Sequence, residues 1–118
     1  MIIFIIKNII NEKKEYNVQI DTTCYIKNSN KSCIVFNNKF NKLIIENSND
    51  IYIEIYKIIT SIEINNCNNV FIKINDIIGL PCIEIYKTSI YLIGDIEIYK
   101  STLVISDLSD LYHLKVKE

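Results

Sequence analysis

A period near twenty residues organises this chain. Ser29, Ser48, Cys67 and Thr88 stand nineteen, nineteen and twenty-one residues apart, each inside the same local pattern. The pattern is apolar–x–apolar–x–Asn–small, followed by a second alternating apolar pair. Leu43, Ile45, Asn47, Ser48, Ile53 and Ile55 set it out. Ile62, Ile64, Asn66, Cys67, Ile72 and Ile74 repeat it, and Cys24, Ile26, Asn28, Ser29, Ile34 and Phe36 form an earlier copy. Strand alternation recurring at a fixed period of this length predicts a stacked parallel coil, not a sheet joined by hairpins.

Side chains alternate across a strand, so equivalent positions of successive copies form columns that face one way. The inward columns are Cys24/Leu43/Ile62/Ile83, Ile26/Ile45/Ile64/Ile85, Ile34/Ile53/Ile72, Phe36/Ile55/Ile74 and Phe40/Ile59/Ile78. An earlier rung follows at an offset of twenty, with Phe4, Ile6 and Asn8, then Tyr16 and Ile20, and Lys13–Glu15 as a polar bulge. About six short coils in one domain, residues 1–118, fill the chain. The column Asn28/Asn47/Asn66 marks the coil corners, because Asn tolerates left-handed backbone and bonds to nearby backbone groups. Stacked amides of this kind also bond from rung to rung. Lys87 takes the fourth place in the column. The pentapeptide Ile-Glu-Ile-Tyr-Lys occurs at 53–57, 83–87 and 96–100, with isoleucines inward and charges outward.

Composition narrows the function. Net charge is −1, and all thirteen basic residues are lysines. Nucleic-acid recognition leans on the bidentate guanidinium, so no nucleic-acid partner is expected. Met1–Ile6 is apolar but too short to span a bilayer, and it lacks a basic flank. A soluble cytoplasmic protein without a membrane partner is the expectation, in the host cytoplasm if the source is viral. Cys24, Cys33, Cys67 and Cys82 form no CxxC pair, and only one histidine accompanies them. No zinc site or other cofactor is expected, and Cys24 reads as a small core hydrophobe.

Catalytic chemistry finds no purchase. His113 lies near Ser106, Asp107, Ser109 and Asp110, but no nucleophile elbow or glycine-rich oxyanion loop accompanies it. Glu54, Glu63, Glu84 and Glu97 stand singly on outward positions, unlike the clustered carboxylates of glycan-processing coils. The expectation is a protein that is not an enzyme. One outward column is more informative. Cys33, Tyr52, Phe71 and Tyr91 align, beside Val35, Glu54 and Lys73. The candidate partner surface is Tyr52, Phe71 and Tyr91, edged by Glu54 and Lys73.

These residues resemble a known family, the C-terminal β-helical domain of adenylyl cyclase-associated proteins, which is related to tubulin-binding cofactor C. Ile34–Ser48 reads IVFNNKFNKLIIENS, in which Lys39, Asn41, Ile45 and Asn47 match the family pattern and Asn38 stands for a glycine. Asn66–Ile74 is similar to its Asn-Ser-x-Asp-Val rung. Pro81, Ile83, Ile85, Lys87 and Thr88 fit its Pro-Thr-Ile-x-Ile-x-Lys-Thr segment, after an inserted pair around Gly79–Leu80. Val104–Leu114 is similar to its terminal stretch, with Tyr112-His113-Leu114 where the family usually has Met-Asn-Val. The resemblance implies a right-handed parallel β-helix that binds monomeric actin, acts on the exchange of actin's nucleotide, and dimerises by exchanging a C-terminal hairpin. The tubulin-cofactor branch promotes GTP hydrolysis with an arginine, which this chain lacks.

The expected function is a non-enzymatic, actin-binding and cytoskeleton-regulating module. The alternative is a structural or assembly protein of a virus or protist that keeps the coil dimer without actin. The exchanged segment is placed at about 101–116, with Leu103, Ile105, Leu111, Leu114 and Val116 as the crossing apolar residues. An open last rung would otherwise expose unpaired backbone and apolar side chains.

Overall fold

The computed structural model describes the backbone of residues 1–75, 82–99, 103–105 and 110–117, and the side chains of 1–75 and 82–93. Twelve strands run in chain order: β1 (Ile2–Lys7), β2 (Lys13–Tyr16), β3 (Thr22–Lys27), β4 (Asn30–Phe36), β5 (Phe40–Glu46), β6 (Asn49–Ile55), β7 (Ile58–Asn65), β8 (Asn68–Ile74), β9 (Ile83–Tyr86), β10 (Ser89–Tyr99), β11 (Leu103–Ile105) and β12 (Asp110–Lys117). Odd strands form one six-stranded sheet in the order β1-β3-β5-β7-β9-β11. Even strands form a second, in the order β12-β10-β8-β6-β4-β2. Every pairing is parallel. The chain is therefore an all-β solenoid, one strand per sheet in each coil, as the period requires.

The columns explain the register. Cys24, Leu43, Ile62 and Ile83 sit side by side on β3, β5, β7 and β9, and so do Ile26, Ile45, Ile64 and Ile85. On the second sheet, Ile34, Ile53 and Ile72 are aligned, as are Phe36, Ile55 and Ile74. All of these are buried and join one core between the sheets. Stacking β-branched side chains on their own kind suits the parallel rung spacing and restricts slippage, since a one-residue shift would turn the apolar set outward.

The corners are left-handed. Asn8, Asn28, Asn47, Asn66 and Lys87 hold φ between 48° and 60°. Asn tolerates this region better than most residues, while for other L-residues it costs roughly 1–2 kcal/mol. The small residue that follows faces inward and is buried: Ser29, Ser48, Cys67 and Thr88. Its hydroxyl replaces a ladder bond that the corner interrupts. Ser48 Oγ accepts from the Ser29 amide at 3.1 Å and donates to the Glu46 carbonyl at 3.0 Å. Thr88 Oγ1 accepts from the Cys67 amide at 3.4 Å and donates to the Tyr86 carbonyl at 2.9 Å. The repeat thus needs a residue that is both small and able to hydrogen-bond, because buried backbone groups must find partners.

Four sequence expectations are corrected. Ile58, not Ile59, stacks on Phe40, because a bulge between Phe40 and Lys42 shifts the register. Ile58 is buried while Ile59 is 44% exposed. Ile78 of that expected column lies outside the described residues. Lys13–Tyr16 is a regular strand paired with Cys33–Phe36, not a polar bulge. Ile20 is an exposed residue of the turn before β3 and not a core residue. Finally, the terminal strands do not form a hairpin. β11 pairs with β9 and β12 with β10, one in each sheet, continuing the coil.

The inserted pair around Gly79–Leu80 lies outside the described residues. The flanking register still requires it: Ile55 to Ile62 is seven steps along the chain, and Ile74 to Ile83 is nine.

Candidate partner-binding face

The outer face of the second sheet carries the predicted column. Cys33, Tyr52, Phe71 and Tyr91 are neighbours on β4, β6, β8 and β10. Val35, Glu54, Lys73 and Ile93 form the next column. The structure therefore brings together all five residues of the candidate surface. Phe71 and Tyr91 lie ring on ring, with centroids 4.8 Å apart and planes 14° from parallel. Phe71 remains 37% exposed and Ile93 36%, while Tyr52 and Tyr91 are half-buried. Stacking across rungs stabilises neighbouring strands and also presents a continuous aromatic ridge.

Charge borders the ridge. Lys73 Nζ approaches Glu54 Oε1 at 4.0 Å, and Asn75 donates to Glu54 Oε2 at 3.4 Å. Burial of the Tyr52 phenol, and then the neighbouring Glu54 carboxylate, raises its pKa above the ordinary tyrosine value. Tyr52 therefore stays a neutral hydrogen-bonding group at physiological pH. Lys73 is exposed and Glu54 half-buried, so at 4.0 Å the pair contributes little to stability.

A second column, unnoticed in the sequence, shapes this face. Asn11, Lys31, Asp50 and Asn69 hold φ of 50° to 55°, three residues after each corner Asn. The ladder passes over these positions, pairing Asn30 with Asn49 and Ser32 with Ile51. Each of these strands carries the skipped residue at the same place, so the register is unchanged, and the exposed residues at these positions border the aromatic ridge. Between this column and the ridge runs a shallow groove of about 600 Å³, lined by Lys13, Lys31, Asp50, Cys33, Tyr52 and Phe71 among others. The polar residue recurring at Lys31, Asp50 and Asn69 was the available signal. The fifth coil omits this residue: Val70 pairs with Ile90, and no residue answers to Asn69. This omission turns the twenty-one-residue step at Thr88 into a twenty-residue step at Tyr91.

Among the described residues, no group of three or more His, Cys, Asp or Glu is placed to hold a metal. All four cysteines are free. Burial pushes the Cys24 thiol up to about 12 and that of Cys67 up to about 11, which leaves both protonated and inert. The side chains of His113, Ser106, Asp107, Ser109 and Asp110 lie outside the described residues. So do those of the exchange residues Leu103, Ile105, Leu111, Leu114 and Val116, although their strands are placed. Among the described residues, no helix is long and apolar enough to cross a membrane.

A comparison with curated proteins found no match. The family model described as "Adenylate cyclase associated (CAP) C terminal" matches residues 3–110, almost the whole solenoid including both strands of every coil from β1 to β10. The match spans nearly the whole chain, and the chain belongs to the adenylate cyclase associated protein C-terminal family.

Proposed function

We propose that this chain is a non-enzymatic binding module whose second-sheet outer face takes a folded protein partner, with monomeric actin as the partner the family points to. The observation that carries the reading is the Phe71–Tyr91 stack, exposed at its Phe71 end and bordered by the Glu54–Lys73 pair. Aromatic side chains at an interface centre often contribute 2 kcal/mol or more each, whereas rim charges steer and orient. The module acts in the cytoplasm as a homodimer formed by exchange of the sixth coil, β11 and β12, each copy laying its coil on β9 and β10 of the other.

The test is capture of actin monomers by the parent and by Phe71→Ala, read by pyrene-actin kinetics and sedimentation. We expect at least about tenfold weaker capture by the variant, in line with the loss of one such side chain, with an unchanged melting temperature. Equal capture would remove this face. No capture by the parent would favour the assembly protein that keeps the coil without actin.

A further inference from the structure

The aromatic column of the second sheet begins at a lysine. Lys13 on β2 pairs with Cys33, Cys33 with Tyr52, and Tyr52 with Phe71. Lys31 lies beside this head, in the left-handed column. The groove between the two columns therefore has unlike ends, with Lys13 and Lys31 at one and Phe71 at the other. Cys33 and Asp50, both short, line its middle.

The charges that line the groove are not equivalent. Its two carboxylates already have partners on the protein. Glu12 Oε2 lies 3.8 Å from the Nζ of Lys14, which does not line the groove, and Asp50 Oδ1 accepts from the Asn69 side-chain amide at 3.0 Å. Lys13 and Lys31 are both exposed, and among the described residues neither has an ion pair. At the far end, Tyr91 covers one face of the Phe71 ring, and among the described residues no ring covers the other.

We propose that this groove takes an extended segment of a partner protein, with a carboxylate side chain between Lys13 and Lys31 and an apolar or aromatic side chain on the open face of Phe71. The proposal rests on the second-sheet outer face being the partner face, and it names what that face recognises. Parallel rungs lie about 4.8 Å apart, so the three steps from Lys13 to Phe71 span about 14 Å. An extended chain rises about 3.3 Å per residue, which sets the two side chains about four residues apart. At that spacing strand alternation turns both to the same side, toward the groove. The segment runs across the strands, along the coil, and so needs no open sheet edge. Its carboxylate meets two unpaired ammonium groups and its ring an uncovered aromatic face, whereas a cationic segment would meet Lys13 and Lys31 as repulsion.

The test is titration of the isotope-labelled full chain with the acetylated, amidated peptide Asp-Ser-Ser-Ser-Phe, followed by backbone amide shifts. The shifts should centre on Lys31, Cys33, Asp50, Tyr52 and Phe71. Asn in place of the peptide's Asp should weaken binding about threefold or more, the scale of an exposed ion pair. The shorter peptide Asp-Ser-Ser-Phe turns the two side chains to opposite sides and should lose a similar factor. Lys13→Gln combined with Lys31→Asn should abolish the preference for Asp at an unchanged melting temperature, since Asn suits the left-handed backbone at position 31. No binding by the parent, binding without preference for Asp, or a preference that survives in the double variant would overturn the proposal. These outcomes stand apart from actin capture. If Phe71→Ala loses actin while the parent ignores the peptide, the face stands and this occupant falls. If the parent selects the peptide but captures no actin, the occupant stands and actin falls as the partner.

Discussion

The Asn66 side-chain amide donates to the Asn47 side-chain carbonyl at 2.8 Å, joining two corners of the coil that both have left-handed backbone. The corner residue therefore has two tasks, to accept a φ near +50° and to tie its rung to the next. Asn66→Gly keeps the first and loses the second, while Asn66→Ala loses both. We expect Ala to cost about 1–2 kcal/mol, the left-handed penalty, and Gly clearly less. Urea unfolding of the two variants checks this. A Gly variant less stable than the Ala variant would refute it.

The corrected register makes a paired prediction. Ile58→Ala removes a buried side chain stacked on Phe40 and should cost about 2–5 kcal/mol. Ile59→Ala, one residue on, should stay within about 0.5 kcal/mol of the parent. The reverse order in thermal melts would restore the column read from the sequence.

Ile64 is fully buried between Ile45 and Ile85. Ile64→Asp places an unpaired charge there, which costs on the order of 3–5 kcal/mol. A soluble variant with the parent's melting temperature would contradict the inward direction of this column.

The buried thiols impose a pH dependence. Burial raises the Cys24 and Cys67 pKa values from the ordinary thiol value of 9.0 to about 12 and about 11. Below the ordinary value both states are protonated and the thiols do not affect stability. Above it the unfolded chain loses these protons while the folded chain keeps them, so stability falls as pH rises from 9 toward 12. Urea midpoints at pH 8 and 10.5 should fall further for the parent than for Cys24→Val. An equal fall would mean that the Cys24 thiol is not shielded.

Assembly through the last coil is tested by truncation after Lys100, which removes β11 and β12. Loss of both strands exposes β9 and β10 as edges, with open backbone rows. We expect the truncated chain to be monomeric or to aggregate. Light scattering that shows a monodisperse full-length monomer at micromolar concentration would overturn the exchange.

Local physics wrote most of this structure into the sequence. The alternation of Ile45, Ile64 and Ile85, the Asn corners and the small residue after each of them specify parallel coils and their facing. Each depends on one residue's shape or backbone preference repeated at a fixed interval. The outward alignment of Tyr52, Phe71 and Tyr91 followed from the same count. The tertiary structure decided where the count breaks. The bulge beside Phe40 puts Ile58 rather than Ile59 in the core, because the neighbouring rung, and not the local alternation, decides which of two adjacent isoleucines meets a partner. The left-handed backbone at Lys31, Asp50 and Asn69 escaped the count, since a recurring polar residue does not by itself oblige Lys or Asp to adopt φ near +50°. The stacking of successive rungs aligns these residues in one column, and with it comes the groove beside the aromatic ridge.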